Sequence, residues 1–184
     1  VKGLKKYNLS ILYYSKVLNQ LNEKSLIYAD VLYERGSSYE RLGKNKKSDE
    51  DLLKSLAINP DEPHVLNYLA YSWVEKKINI EQALDMLKRA NRLKENDGYI
   101  IDSLGWAYYA NNNYVDAKKF LQRAVELMPL DPVINDHYGD ALWMLNKNIQ
   151  ARYFWKHVLK LEDTEQKLKD IVNKKLIFGI IKKI

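Results

Sequence analysis

Apolar and small residues recur along this chain on two periods at once: the 3.6-residue turn of a helix and a longer repeat of 34 residues. Between 98 and 131 the marked positions are Ile101, Leu104, Gly105, Tyr108, Ala117, Leu121, Ala124 and Pro129. One repeat further on, Asn135, Tyr138, Gly139, Leu142, Ala151, Trp155 and Val158 stand in register. One repeat back, with a single residue inserted near Asn79, come Leu66, Leu69, Ala70, Trp73, Ala83, Leu87 and Ala90. Another repeat back gives Leu32, Gly36, Tyr39, Ser48, Leu52, Ser55 and Pro60. Each block reads as two antiparallel helices with apolar stripes that face one another. Four helix pairs are therefore predicted, at 29–62, 63–97, 98–131 and 132–165, and the fold class is all-α.

The residue types explain the packing. Gly36, Ala70, Gly105 and Gly139 let the second helix of each pair approach the first. Ser48, Ala83, Ala117 and Ala151 do the same from the opposite side. Tyr39, Trp73, Tyr108 and Leu142 fill the space between. Asn111–Asn113 and Asn146–Asn148 are turn sequences, and Pro60, Pro63 and Pro132 fall at repeat junctions, where a helix has ended or is starting. One pair cannot bury its apolar face alone, so neighbours must stack.

The ends read differently. Residues 1–28 hold Ser10, Tyr14 and Val17 in the pattern of a second helix, the remnant of a preceding repeat. Either this segment is a degenerate cap, or the sequence is a piece of a longer solenoid. Residues 166–184 place Leu168, Ile171, Val172 and Leu176 on one face with lysines elsewhere, as expected of a capping helix with a basic tail. A helix lying on a membrane surface is the alternative.

Composition narrows the function classes. With 46% hydrophobic and 29% charged residues the chain is one that folds. The absence of cysteine removes disulfides, thiol catalysis and cysteine-held metals. The net charge of +6 lies at the two ends, in Lys2, Lys5, Lys6 and the lysines after 165, so the body is near neutral. That distribution argues against nucleic-acid binding, which calls for a basic face on the folded body. No apolar run is long enough to span a bilayer.

The four repeats resemble the tetratricopeptide-repeat family over residues 29–165. The resemblance implies a right-handed α-α superhelix, a solenoid closed by a C-terminal capping helix. Leu66–Trp73, Asp102–Trp106, Asn135–Asp140 and the ending Ile171, Lys174, Leu176, Gly179 look like a bacterial subfamily of long members. Some of those are exported to the cell envelope, including lipoproteins that serve as adaptors for a carboxyl-terminal processing protease. The subfamily resemblance implies a periplasmic or envelope location. Without it the expected location is cytoplasmic.

In this family the first helices line a concave groove. The family's groove positions, carried onto this sequence, include the candidate partner-binding residues Tyr33, Glu40, His64, Asn67, Tyr71, Glu75, Tyr99, Asp102, Trp106, Tyr109, Asp136, Asp140 and Trp143. They are aromatic and acidic, a makeup suited to a protein or peptide partner with basic and apolar side chains. The alternative is that some of the aromatics pack between repeats and that the acids are solvated or paired with lysines elsewhere. Family members that clamp an acidic chaperone C-terminus use Lys and Asn in the groove. Here the corresponding positions hold His64, Tyr99 and Val133, and Asn67, Asp102 and Asp136, so that partner is not expected.

No catalytic constellation is legible, and no cofactor or metal is expected. His64, His137 and His157 fall in different helices without an i, i+4 histidine partner, and there is no phosphate-cradling glycine loop. Asp136, His137 and Asp140 suggest at most a weak cation site, against a reading of His137 as a hydrogen-bonder between helices. The sequence thus predicts an interaction scaffold rather than an enzyme. Rival readings are the substrate-binding arm of a larger enzyme and a self-association module. An RNA-binding repeat is disfavoured by the acidic groove.

Overall fold

The structure is a computed structural model that describes residues 2–180. Among the described residues there are ten helices and no strand. They are α1 (Lys2–Leu18), α2 (Leu26–Arg41), α3 (Asn45–Ile58), α4 (Pro63–Glu75), α5 (Ile80–Leu93), α6 (Gly98–Ala110), α7 (Tyr114–Leu127), α8 (Pro132–Met144), α9 (Asn148–Val158) and α10 (Gln166–Phe178). The chain divides into two compact units, residues 1–69 and 70–184, with the division inside α4.

The turn inside each helix pair is built the same way. Gly43, Lys77, Asn112 and Asn146 occupy equivalent places and all have positive φ, between 57° and 71°. The residue after each donates its N–H back five residues: Lys44 to Tyr39, Ile78 to Trp73, Asn113 to Tyr108 and Lys147 to Leu142. This left-handed step with its long back-bond ends a helix while satisfying a terminal carbonyl. Asparagine tolerates the left-handed region better than most side chains, which explains the turn sequences at 111–113 and 146–148. The inserted residue near Asn79 is accommodated by a second left-handed residue, Asn79 itself at φ 48°.

Several helix starts are fixed by side-chain caps, although those of α3, α5, α9 and α10 have no side-chain cap bond. Ser25 accepts from the Tyr28 N–H, Asp97 from Tyr99 and Ile100, and Asp131 from Val133 and Ile134, with Pro132 at the head of α8.

In residues 1–69, α1 packs on α2 and α2 on α3. Leu18, Tyr28 and Leu32 form the buried cluster. Gly36 allows α3 to come close, because a Cβ there would sit 3.1 Å from Leu52 Cγ. Arg35 bridges three helices, donating to both Asp51 oxygens at 2.7 Å and to Ser15 Oγ at 3.1 Å.

In residues 70–184, α5 through α10 pack each on the next. The main cluster joins Ala117, Leu121, Tyr138, Leu142, Ala151, Trp155, Val158 and Val172. A Cβ at Gly105 would lie 2.6 Å from Leu121 Cγ, and one at Gly139 would lie 2.5 Å from Trp155 Nε1. Helix α10 closes the unit: Val172 is fully buried, with Leu168, Leu176 and Ile180 packed on the cluster. The face expected of α10 differs in one respect. Ile171 is largely exposed, and Lys175, one turn beyond the buried Val172, points inward instead. The reason is electrostatic and becomes plain at the site.

Candidate functional site

The first helices of the pairs are α2, α4, α6 and α8, and α10 stands in the same relation to α8 and α9. Their facing sides carry the predicted groove residues. Within each unit, carboxylates among them accept hydrogen bonds from donors on the following first helix or on α10. In residues 1–69, the Tyr68 hydroxyl donates to Glu40 at 3.3 Å. In residues 70–184 there are three such links. Trp106 Nε1 donates to Glu75 at 2.7 Å. His137 Nδ1 donates to the Asp102 carboxylate at 3.0 and 3.1 Å. Lys175 Nζ donates to both oxygens of Asp136 and of Asp140, all within 2.8 Å.

Asp102, Asp136 and Asp140 are therefore buried and paired. Asp140 also accepts from Trp155 Nε1 at 3.0 Å. The geometry assigns these three acids to holding α6, α8 and α10 together, and this separates them from the other predicted contact residues. Burying carboxylates is tolerable only when ions and hydrogen bonds satisfy them, which is what turns Lys175 inward. The ammonium also fills the place where Asp136 and Asp140 would take a cation. Among the described residues no group of His, Asp and Glu is arranged to hold a metal ion.

Trp106 is the hub of an aromatic stack. Its ring lies flat against His137, with centroids 3.9 Å apart, and against Tyr109 at 4.6 Å, with Tyr114 edge-on to Tyr109. Its faces are thus used inside the fold and its N–H is engaged. The side chain shapes the surface rather than offering a free ring. Trp143 is likewise drawn into packing: it lies 5.3 Å from Trp155, beneath the Arg152 guanidinium, and against Gly179 at the end of α10. What remains open on this face is Tyr99, 57% exposed at the head of α6, together with exposed Glu75 and half-buried Tyr71 and Tyr109. Burial, and after it the carboxylates Glu75 and Asp102, push the Tyr71 phenol up, so it stays a neutral hydroxyl.

In residues 1–69, Tyr33 packs edge-on against Tyr68 at 5.7 Å. Burial and Glu40 raise the Tyr68 hydroxyl to about 12. His64 is exposed at the start of α4, and the Asn67 side-chain oxygen is buried without a hydrogen-bond partner among the described residues.

The sequence pattern offered His137 as a hydrogen-bonder between helices and lysines elsewhere as partners of the acids, but it did not pick out Asp102 as the partner of His137 or Lys175 as the lysine. Lys175 is 35 residues beyond Asp140, in a helix that carries few of the repeat landmarks. The only signal was the i, i+4 pair Asp136 and Asp140, two acids on one helical face that need a cation.

The cluster titrates in a definite direction. Burial opposes charge on His137, but Asp102 outweighs it, helped by Asp136 and Asp140, and the ring is held above its ordinary value. Burial and then Asp136 push Asp140 up to about 6, against the pull of Lys175. Raised folded values favour the protonated forms in both cases. The Asp140 contribution is complete below about pH 4 and is lost as pH rises through about 6. The His137 contribution is complete below about pH 6.5 and is lost above it. The urea midpoint of residues 70–184 should therefore fall between pH 5 and pH 8, and Asp140→Asn should flatten the part near pH 6. A midpoint that rises over this interval would contradict the assignment.

The repeat architecture has known relatives. Models of the tetratricopeptide repeat match residues 29–62 and 99–131. A TPR repeat-containing protein of Pseudomonas aeruginosa is 28% identical over 93 residues, 50% of this chain and 16% of that protein. The chain carries tetratricopeptide repeats. Its fold is that of solved family members. A thermophilic TPR protein of Thermus thermophilus superposes with a TM-score of 0.76 at 18% identity, covering 95% of this chain and 93% of that one. A tetratricopeptide repeat protein from Parabacteroides merdae gives 0.75 at 18%, covering 94% and 65%. MamA of strain AMB-1 gives 0.67 at 20%, covering 89% and 97%. At such identities the likeness is one of fold. Tetratricopeptide repeats generally serve as scaffolds for protein–protein interaction, and this chain carries such repeats. No helix among the described residues is long and apolar enough to cross a membrane.

Proposed function

We propose that the first-helix face of residues 70–184 binds a segment of a partner protein, with Tyr71, Glu75, Tyr99 and Tyr109 as the contact surface. Asp102, Trp106, Asp136, Asp140 and Trp143 hold that surface in shape from beneath. The observation that carries the reading is the placement of charge. Three of the acids are consumed internally, while an exposed Tyr99 and the edges of an ordered aromatic stack remain. Exposed, rigid aromatics beside one carboxylate favour a partner segment that is mainly apolar, with a basic side chain opposite Glu75. In residues 1–69, Tyr33, Glu40, His64 and Asn67 extend the candidate set on α2 and α4. The more specific form is an adaptor of the cell envelope that presents a substrate or organises a protease. It rests on the subfamily resemblance of residues 66–73 and 102–106.

The test is affinity capture from the source organism with wild type, a Tyr99→Ala, Glu75→Lys double variant and a Tyr153→Ala control. Tyr153 is exposed on α9, away from the first helices. Binding of the captured protein should weaken about tenfold or more in the double variant and be unchanged in the control. Equal capture by all three would refute the first-helix face as the site. Recovery of a processing protease would support the adaptor form, and capture of partners that include no protease would count against it.

A further inference from the structure

One group of lysines in residues 70–184 lies along a second helix, away from the face just described. Val115, Lys118, Lys119, Gln122, Arg123 and Glu126 follow one another at helical spacing along α7 and, with Leu145 and Lys147 from the turn before α9, line a shallow groove of about 620 Å³ whose one carboxylate, Glu126, is taken up by Arg123. Arg123 is held by Glu126 at 3.1 Å and by Asn96 at 3.0 Å. Lys118, Lys119 and Lys147 form no ion pair with any described carboxylate. Val115 is 70% exposed, and Leu145 is half-buried beside it.

We infer that this groove is a second interaction surface, which takes an extended acidic segment of another protein bearing an apolar side chain. The contrast with the first-helix face carries the inference. There, every buried acid has found a donor inside the fold. Here, Lys118, Lys119 and Lys147 line one groove beside an exposed valine with no carboxylate paired to them, Lys119 lying over the Phe120 ring at 5.7 Å. From Val115 to Arg123 the stripe runs about 12 Å along the helix axis, the reach of roughly four extended residues. Such a segment can set carboxylates against Lys118, Lys119 and Lys147 while one aliphatic side chain covers Val115 and Leu145. A nucleic acid fits less well, because no aromatic ring lines the groove for a base to stack upon. Contacts of this type add to association rate and partner choice and weaken with salt.

The probe is a fluorescein-labelled peptide of repeated glutamate pairs separated by leucine, followed by fluorescence anisotropy at low salt. Wild type should bind it, and a Lys118→Glu, Lys147→Glu variant should bind about tenfold more weakly or worse. Tyr99→Ala should leave it unchanged, since that residue lies on the other face. All these positions are at the surface, and circular dichroism of each variant checks that the fold is retained. Failure of wild type to bind, full binding by the charge-reversed variant, or equal binding of a single-stranded oligonucleotide of the same charge would each overturn the inference.

Discussion

Lys175→Met is expected to destabilise residues 70–184 by about 3–5 kcal/mol, the cost of leaving buried carboxylates without their cation. The side chain of Lys175 is largely buried, and its ammonium is held within 2.8 Å by both Asp136 and Asp140. Methionine keeps the length and the apolar stem and removes only the charge. Two carboxylates one helical turn apart would then face each other in the interior, with Trp155 Nε1 as the remaining donor recorded for Asp140. The deficit should shrink toward pH 5, because Asp140, already raised to about 6 with the lysine in place, would take up a proton more readily without it. Adding Asp136→Asn and Asp140→Asn to Lys175→Met should recover most of the loss, since a neutral set has no unpaired charge to bury. Urea denaturation of the single and triple variants measures both effects. A loss below about 1 kcal/mol for the single variant would place this cluster in solvent, as for an ordinary surface ion pair.

Gly139→Leu is the second large effect, at about 3 kcal/mol or more, and Gly139→Ala should already cost about 1–3 kcal/mol. Helix propensity alone favours alanine over glycine by about 1 kcal/mol, so the sign of the alanine variant is diagnostic. A Cβ at 139 would meet Trp155 Nε1 at 2.5 Å and Cδ1 at 2.6 Å. The indole has nowhere to go: Trp155 is fully buried, and its N–H is committed to Asp140. Moving it would strip a donor from the same carboxylate that Lys175 holds, so packing and electrostatics are coupled at this point. Gly36 offers the comparison. A Cβ there would be 3.1 Å from Leu52 Cγ, a milder approach to a more adaptable side chain. Thermal unfolding of Gly139→Leu, Gly139→Ala and Gly36→Ala reads the order directly, and a stabilising Gly139→Ala would contradict the close approach of α9 to α8.

The contrast between the two glycines also shows what the sequence made legible. Small residues at 36, 70, 105 and 139, with aromatic or leucine residues three positions later, mark the places where helices must meet, and a repeated landmark is a strong signal. Two of the turns were readable from their asparagines, at 111–113 and 146–148, whereas Gly43 and Lys77 take the same backbone step without that signal. The candidate site was harder, because which residues lie on a face follows from periodicity, whereas what each residue touches does not. Asp102, Asp136 and Asp140 stand at groove positions, yet their partners His137 and Lys175 come from the neighbouring first helix and from α10. Those pairings cross 35 to 39 residues, a separation at which the hydrophobic pattern of one helix says nothing about the charges on another. Trp106 shows the same limit. Its exposed-looking position conceals a ring stacked on His137 and Tyr109.

The central claim is that partner contact falls on the first-helix face around Tyr99, with the acids beneath it serving the fold. Photo-crosslinking tests it most directly, with p-benzoylphenylalanine placed at Tyr99 and, in a separate protein, at Tyr153 on α9. Both sites are exposed, so neither substitution should disturb the packing. The account predicts a covalent adduct with a partner protein from position 99, suppressed by Glu75→Lys, and none from position 153. An adduct from 153 with none from 99 would contradict it and move the interface to the second helices.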